Sequence, residues 1–97
     1  SSAHFAGLVV EGLRRSGVGI SPRKPVRGFY YRKGERTLPA VLRYSRVPNS
    51  VLVEVANLNN ARDRRAMLRE GSRRDVAQGI ATAVNLYRNS QNTVAME

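Results

Sequence analysis

VLVEVANLNN, residues 51–60, is the stretch whose reading decides the fold. Val51, Val53 and Val55 alternate with Leu52, Glu54 and Ala56, a β-branched run of period two that predicts a strand over residues 51–56. Asn57, Asn59 and Asn60 close the run. So apolar a strand ordinarily excludes a carboxylate, because an ionised group withdrawn from water is costly unless it is paired or neutralised. Glu54 therefore either faces water from an edge strand or performs chemistry. In open α/β sheets ligands bind beyond the carboxyl ends of strands, and Glu54 stands near that end of this one. A half-buried carboxylate there suits general acid/base work.

Moving upstream, residues 45–50 (SRVPNS) read as a turn, and residues 38–44 (LPAVLRY) as a strand or a helical turn. Pro39 argues against a central strand. Residues 16–37 form a long connection punctuated by Gly17, Gly19, Pro22, Pro25, Gly28 and Gly34, with residues 26–32 (VRGFYYR) as a candidate short strand. Long connections of this kind are commonly functional. Residues 2–15 predict an amphipathic helix capped by Ser1 or Ser2, with Phe5, Leu8, Val9 and Leu13 on one face. Arg14 and Arg15 suit its last turn and Gly17 its end. Gly7 and Gly12 weaken a helix, so close packing on one face is their expected reason.

Downstream, Asn60 is placed to cap a helix over about 61–69, which Gly71 ends. Ser72 then caps a last helix over about 73–89, whose inward stripe is Val76, Ile80, Ala83, Val84 and Tyr87. Residues 91–97 read as a frayed tail. The order is helix, long loop, one or two strands, helix, helix, which is α/β by pattern. A strand as apolar as 51–56 wants cover on both faces and neighbours on both edges, and one or two strands do not supply that. The expectation is thus part of a twisted mixed sheet with helices on both faces, its N-terminal strands missing from this chain. Residues 1–97 would be the C-terminal portion of a single domain.

Composition narrows the classes. The 97 residues are 41% hydrophobic, which suits a globular chain rather than a disordered one. Cysteine is absent, excluding disulfides, thiolate metal sites and cysteine nucleophiles. No apolar run is long enough to span a membrane. The opening SSAHFAG has neither an initiator Met nor a charged-then-apolar leader, as a processed or truncated chain would read. The net charge of +10 is uneven: residues 22–46 hold eight basic residues against Glu35, and residues 62–74 hold six arginines against Asp63 and Glu70. Such charge attracts polyanions, whether nucleic acid, acidic lipid or an acidic wall polymer. Solvated arginine faces are the plainer alternative.

Few residues carry chemistry. His4 is the only histidine, and with Glu54 it cannot complete a zinc site, so a solvent-facing helix histidine is expected. No Ser-His-Asp arrangement is present in the pattern. GVGISP lacks the continuation and the helix of a phosphate loop. Phe29, Tyr30 and Tyr31, flanked by Arg27, Arg32 and Lys33, can stack bases or sugars or pack under the long loop. Arg43 can reach the cleft of Glu54 or make a surface ion pair.

Several pieces recur in one order: S-x-x-F-A at residues 2–6, VLR at 41–43, P-x-x-VLVE at 48–54, NLNN at 57–60 and VAQGIATAV at 76–84. The set resembles the C-terminal half of the zinc-dependent N-acetylmuramoyl-L-alanine amidases, which cut bacterial peptidoglycan. The resemblance implies a phosphorylase/hydrolase-like fold and a zinc whose ligands lie upstream of Ser1, none of them in this chain. It also implies that Glu54 serves as general base and acid on the zinc-bound water. Arg43 and Asn57 become candidate substrate-binding residues, peptidoglycan and the N-terminal half of the domain the partners, and the periplasm or cell exterior the location. Ala56 and Asn57 depart from the Gly-Phe frequent in the family, and the loop over 21–36 is unusually basic. That loop would help to hold an anionic wall polymer. A non-catalytic wall-binding or regulatory relative is one alternative, and a basic nucleic-acid-binding domain is another. No recognised nucleic-acid motif supports the last.

Overall fold

Ser1 starts the first helix. Its Oγ accepts the His4 amide at 3.2 Å, and α1 runs Ser2–Arg15. The helix ends as a Schellman turn: the Gly17 amide donates to the Arg14 carbonyl and the Val18 amide to that of Leu13. Gly17 sits at φ +84°, in the left-handed region where a Cβ is disfavoured. Val18 then packs on the same core as Leu13, the hydrophobic contact that goes with this end. In this computed structural model the described residues are 1–21, 24–28, 30–47 and 49–96, with only the backbone of Tyr30, Tyr31 and 93–96. Pro22, Phe29 and Pro48, singled out above, lie outside them, as does Glu97 at the end of the expected tail.

The core is where α1 crosses the last helix, α4, Glu70–Met96. The two run antiparallel, with Phe5 against Tyr87 (ring centroids 5.0 Å apart) near one end and Gly12 against Gly79 at the other. Val9, Leu13 and Ala83 are the buried apolar side chains, with Phe5, Val76 and Ile80 packed around them. A Cβ added at Gly12 would fall on the Gly79 carbonyl oxygen, and one at Gly79 would come within 2.8 Å of the Leu13 Cα. Glycine at both positions is what lets the backbones approach. Gly12 thus fits the close-packing expectation. Gly7 does not, since nothing lies near its missing side chain.

Between α1 and α4 the chain is mostly irregular. Tyr30–Arg32 (β1) and Glu35–Thr37 (β2) form an antiparallel hairpin in which Arg32 faces Glu35. Ala40–Arg43 makes a single helical turn, α2, so the stretch 38–44 holds a helical turn rather than a strand. Ala61–Leu68 is α3, capped as expected by Asn60, whose Oδ1 accepts the Asp63 amide at 3.0 Å. The junction with α4 differs from expectation. Arg69, extended at φ −91° and ψ 130°, makes the break, and Gly71 and Ser72 lie inside the first turn of α4. The Arg69 carbonyl already accepts the Arg73 amide, and Arg73 donates from its guanidinium to the Met67 carbonyl at 2.8 Å. The break is thus bridged without a glycine stop. α4 also continues past residue 89 to Met96, through most of the expected tail.

The α/β expectation is overturned. The chain is mostly helical, and no twisted mixed sheet is present among the described residues, which hold only the three-residue pair β1–β2. Residues 51–56 belong to no strand or helix, and no backbone–backbone hydrogen bond joins them among the described residues. The reason is physical. A strand's backbone groups are satisfied only by a neighbouring strand, and none pairs with this one among the described residues. The Cα radius of gyration is 15.0 Å, against roughly 12–13 Å for a compact chain of this length. Leu58 and Leu68 are largely exposed.

Candidate functional site

Residues 51–56 keep the period-two pattern without a sheet. Val51 and Val53 turn toward the α1–α4 core, while Leu52 and Glu54 are exposed. Val55 is also exposed, so the alternation ends one residue early. The segment is tied down at its start, where the Ser50 amide donates to Ser2 Oγ at 2.9 Å. Just before it, the Asn49 side-chain amide donates to the Tyr87 hydroxyl. It is tied at its far end as well, the Asn57 amide donating to the Asp63 carboxylate at 2.8 Å. Two anchored ends and two inward valines hold the run across the helix pair.

That placement makes a groove of about 150 Å³, walled by Val9 and Leu13 of α1, Ile20, Val53 and Val76 of α4. Glu54 lines it too, and is the only ionisable side chain among the described residues that do. Its carboxylate is exposed, not half-buried, and makes no hydrogen bond or ion pair with the described residues. The arrangement is a solvent-reached carboxylate over an apolar floor.

Arg43 and Asn57 are not brought to this groove. Arg43 closes the turn of α2, donating to the Leu38 carbonyl at 3.3 Å. Asn57 works within its own loop: Oδ1 accepts the Asn59 amide at 3.0 Å, and its carbonyl accepts the Asn60 amide at 2.9 Å. Arg64 donates to the Leu58 carbonyl at 2.7 Å and closes the same loop. The asparagine cluster is thus the cap and lead-in of α3. Residue type alone does not separate such a turn from a binding loop, because both use Asx side chains that accept backbone amides.

His4 is exposed, as expected of a helix histidine, yet its Nε2 lies 3.2 Å from Ser90 Oγ and its ring is 6.3 Å from that of Tyr87. Pairing across the two helices is the contact sequence reasoning missed. Its only signal was that His4 and Phe5 are neighbours on α1, with Phe5 expected inward. Among the described residues no three of His, Asp and Glu gather as a metal site. Glu11, on α1, is held below the ordinary carboxylate value by its hydrogen bond from Arg15 at 3.0 Å, helped by the Arg14 charge. No helix among the described residues is long and apolar enough to cross a membrane. Compared with known proteins, the chain matches no family model, no curated protein and no solved structure.

Proposed function

We propose that the chain carries the general base of a peptidoglycan amidase, hydrolysing the amide between N-acetylmuramic acid and L-alanine. The observation that supports it most is Glu54, the one ionisable side chain lining an otherwise apolar groove and open to water. The ordered motifs around residues 2–6, 41–43, 48–54 and 76–84 supply the reaction class. In this reading Glu54 takes a proton from the water that attacks the amide carbonyl. It then returns a proton to the departing L-alanine nitrogen, so that the amine leaves neutral.

The zinc implied by the resemblance does not fit the residues described here. His4 is turned to Ser90 and Tyr87, and no cluster of potential ligands surrounds Glu54. The metal ligands would come from the other half of the domain, upstream of Ser1, on the same chain or a separate one. That half, peptidoglycan itself, and a periplasmic or extracellular location complete the proposal.

The test is Glu54→Gln in the complete protein, assayed for release of peptide stems from purified peptidoglycan. Loss of a general base lowers turnover by roughly 10²–10⁴-fold. Unchanged turnover in a protein of unchanged melting temperature would falsify the assignment.

A further inference from the structure

Among the described residues the β1–β2 hairpin packs against no helix. Residues 24–36 carry five basic side chains, Lys24, Arg27, Arg32, Lys33 and Arg36, against Glu35. All five are exposed. An element that packs on no helix and concentrates one sign of charge is placed to act outside the fold.

The tip is the second observation. Lys33 and Gly34 are the two central residues of the hairpin turn, and both lie at positive φ, +51° and +79°. That is the turn for which Asn-Gly or Asp-Gly is preferred, because ordinary side chains disfavour the left-handed region. Gly34 follows the preference and Lys33 breaks it. Lys33 is the only non-glycine residue at positive φ among those described. Backbone strain held at a surface tip, with a cation as the side chain, points to a contact with a ligand.

We infer that the β1–β2 hairpin is a cationic finger that docks on the phosphodiester groups of an anionic wall polymer. The identity of the polymer rests on the amidase reading; the docking does not. Arg32 offers a planar fork suited to paired phosphate oxygens, and Lys33 a point charge at the extreme of the turn. The finger is a surface for holding the polymer, separate from the groove of Glu54, since none of Arg32, Lys33 or Arg36 lines that groove.

The experiment measures binding of the protein to purified poly(glycerol phosphate) across a salt series, in the Glu54→Gln background so that hydrolysis plays no part. Lys33→Asn is the decisive variant, because it suits the turn better while removing the tip charge. The expected result is weaker binding by roughly fivefold for Lys33→Asn, and a log–log salt slope shallower by about two to three units for Arg32→Ala/Lys33→Ala/Arg36→Ala. Unchanged affinity and slope in both variants, with unchanged circular dichroism, would overturn the finger. Equal or tighter binding of duplex DNA, lost in the same variants, would overturn the wall polymer as its ligand. If Lys33→Asn weakens binding while Glu54→Gln leaves turnover intact, the finger stands and the catalytic reading falls. The reverse pair of results retains the catalytic reading and removes the finger.

Discussion

The α1–α4 pair and residues 51–56 each carry an apolar face in sequence and end differently. The helices meet through Gly12, Gly79 and Ala83 and bury Val9 and Leu13 between them. The 51–56 run lies across that pair with Val51 and Val53 inward, yet its backbone finds no ladder. A helix satisfies its amides and carbonyls within its own turns, so two helices need only a fitting face. An extended run needs another chain segment at its edge. One region is therefore complete within these residues, and the other is held only by side chains and by its anchored ends. The complete region bears the stability and the incomplete one bears the candidate chemistry.

The contrast can be broken by exchanging those roles. The largest effect is expected at Glu54: Gln there costs about 10²–10⁴-fold in amide hydrolysis, with melting unaltered because the side chain is exposed. A fall in melting temperature comparable to that of a core variant would place Glu54 in the fold rather than the reaction. At the helix crossing Gly79→Ala is expected to destabilise by about 1–3 kcal/mol, since the added Cβ meets the Leu13 Cα and the Gly12 carbonyl oxygen, backbone atoms that cannot swing away, as well as the Leu13 side chain. Chemical denaturation checks it, and a neutral result would mean that the helices are not this close.

Next comes the join between the two regions. Asn60→Ala removes the cap of α3 and is expected to cost about 1 kcal/mol, measured by the same unfolding curves. Gly7→Ala sharpens the comparison from the other side. With nothing near its missing Cβ, it is expected to stabilise α1 by about 0.5–1 kcal/mol, in contrast to Gly79→Ala. A loss at Gly7 would reveal a neighbour at that face.

The smallest effect concerns pH. Arg15, through its hydrogen bond, and then the Arg15 and Arg14 charges lower the Glu11 carboxyl from its ordinary value of 4.5. A lowered folded value means that the unfolded chain binds the proton first, so the ionised carboxylate favours the folded state above 4.5. That contribution fades as pH falls from there through the lower folded value. Both partners face water, so the effect is slight and salt-sensitive. Melting of wild type and Glu11→Gln should differ a little at neutral pH and converge in acid. A gap that widens in acid would reverse the sign.

Much of the helical part was legible. Ser1, the apolar face of α1, Gly17 and the arginines before it mark both ends of that helix through local rules. Asn60 marked α3 in the same way, by a cap whose partner is three residues on. The stripe on α4 placed Ala83 inward, while Val84, at its edge, came out exposed. The α3–α4 break was misplaced because Gly71 suits a helix stop but is also tolerated in a first turn. Arg43 and Asn57 were joined to Glu54 on nearness in sequence. Each instead has backbone partners within six residues of itself, and local closure takes their side chains away from the groove.

The sequence by itself determined where helices begin, which face of each is apolar, that the charge is basic and uneven, and that one carboxylate sits inside a β-branched run. Those properties depend on residues within one or two turns of each other. Only the tertiary structure decided that Gly12 and Gly79 share a crossing, that part of the basic loop folds back as a hairpin with Lys33 at its turn, and that residues 51–56 do not become a strand. Pairing is a relation between distant segments. Alternation can specify which side of a strand is apolar, but it cannot provide the neighbour whose hydrogen bonds make the strand.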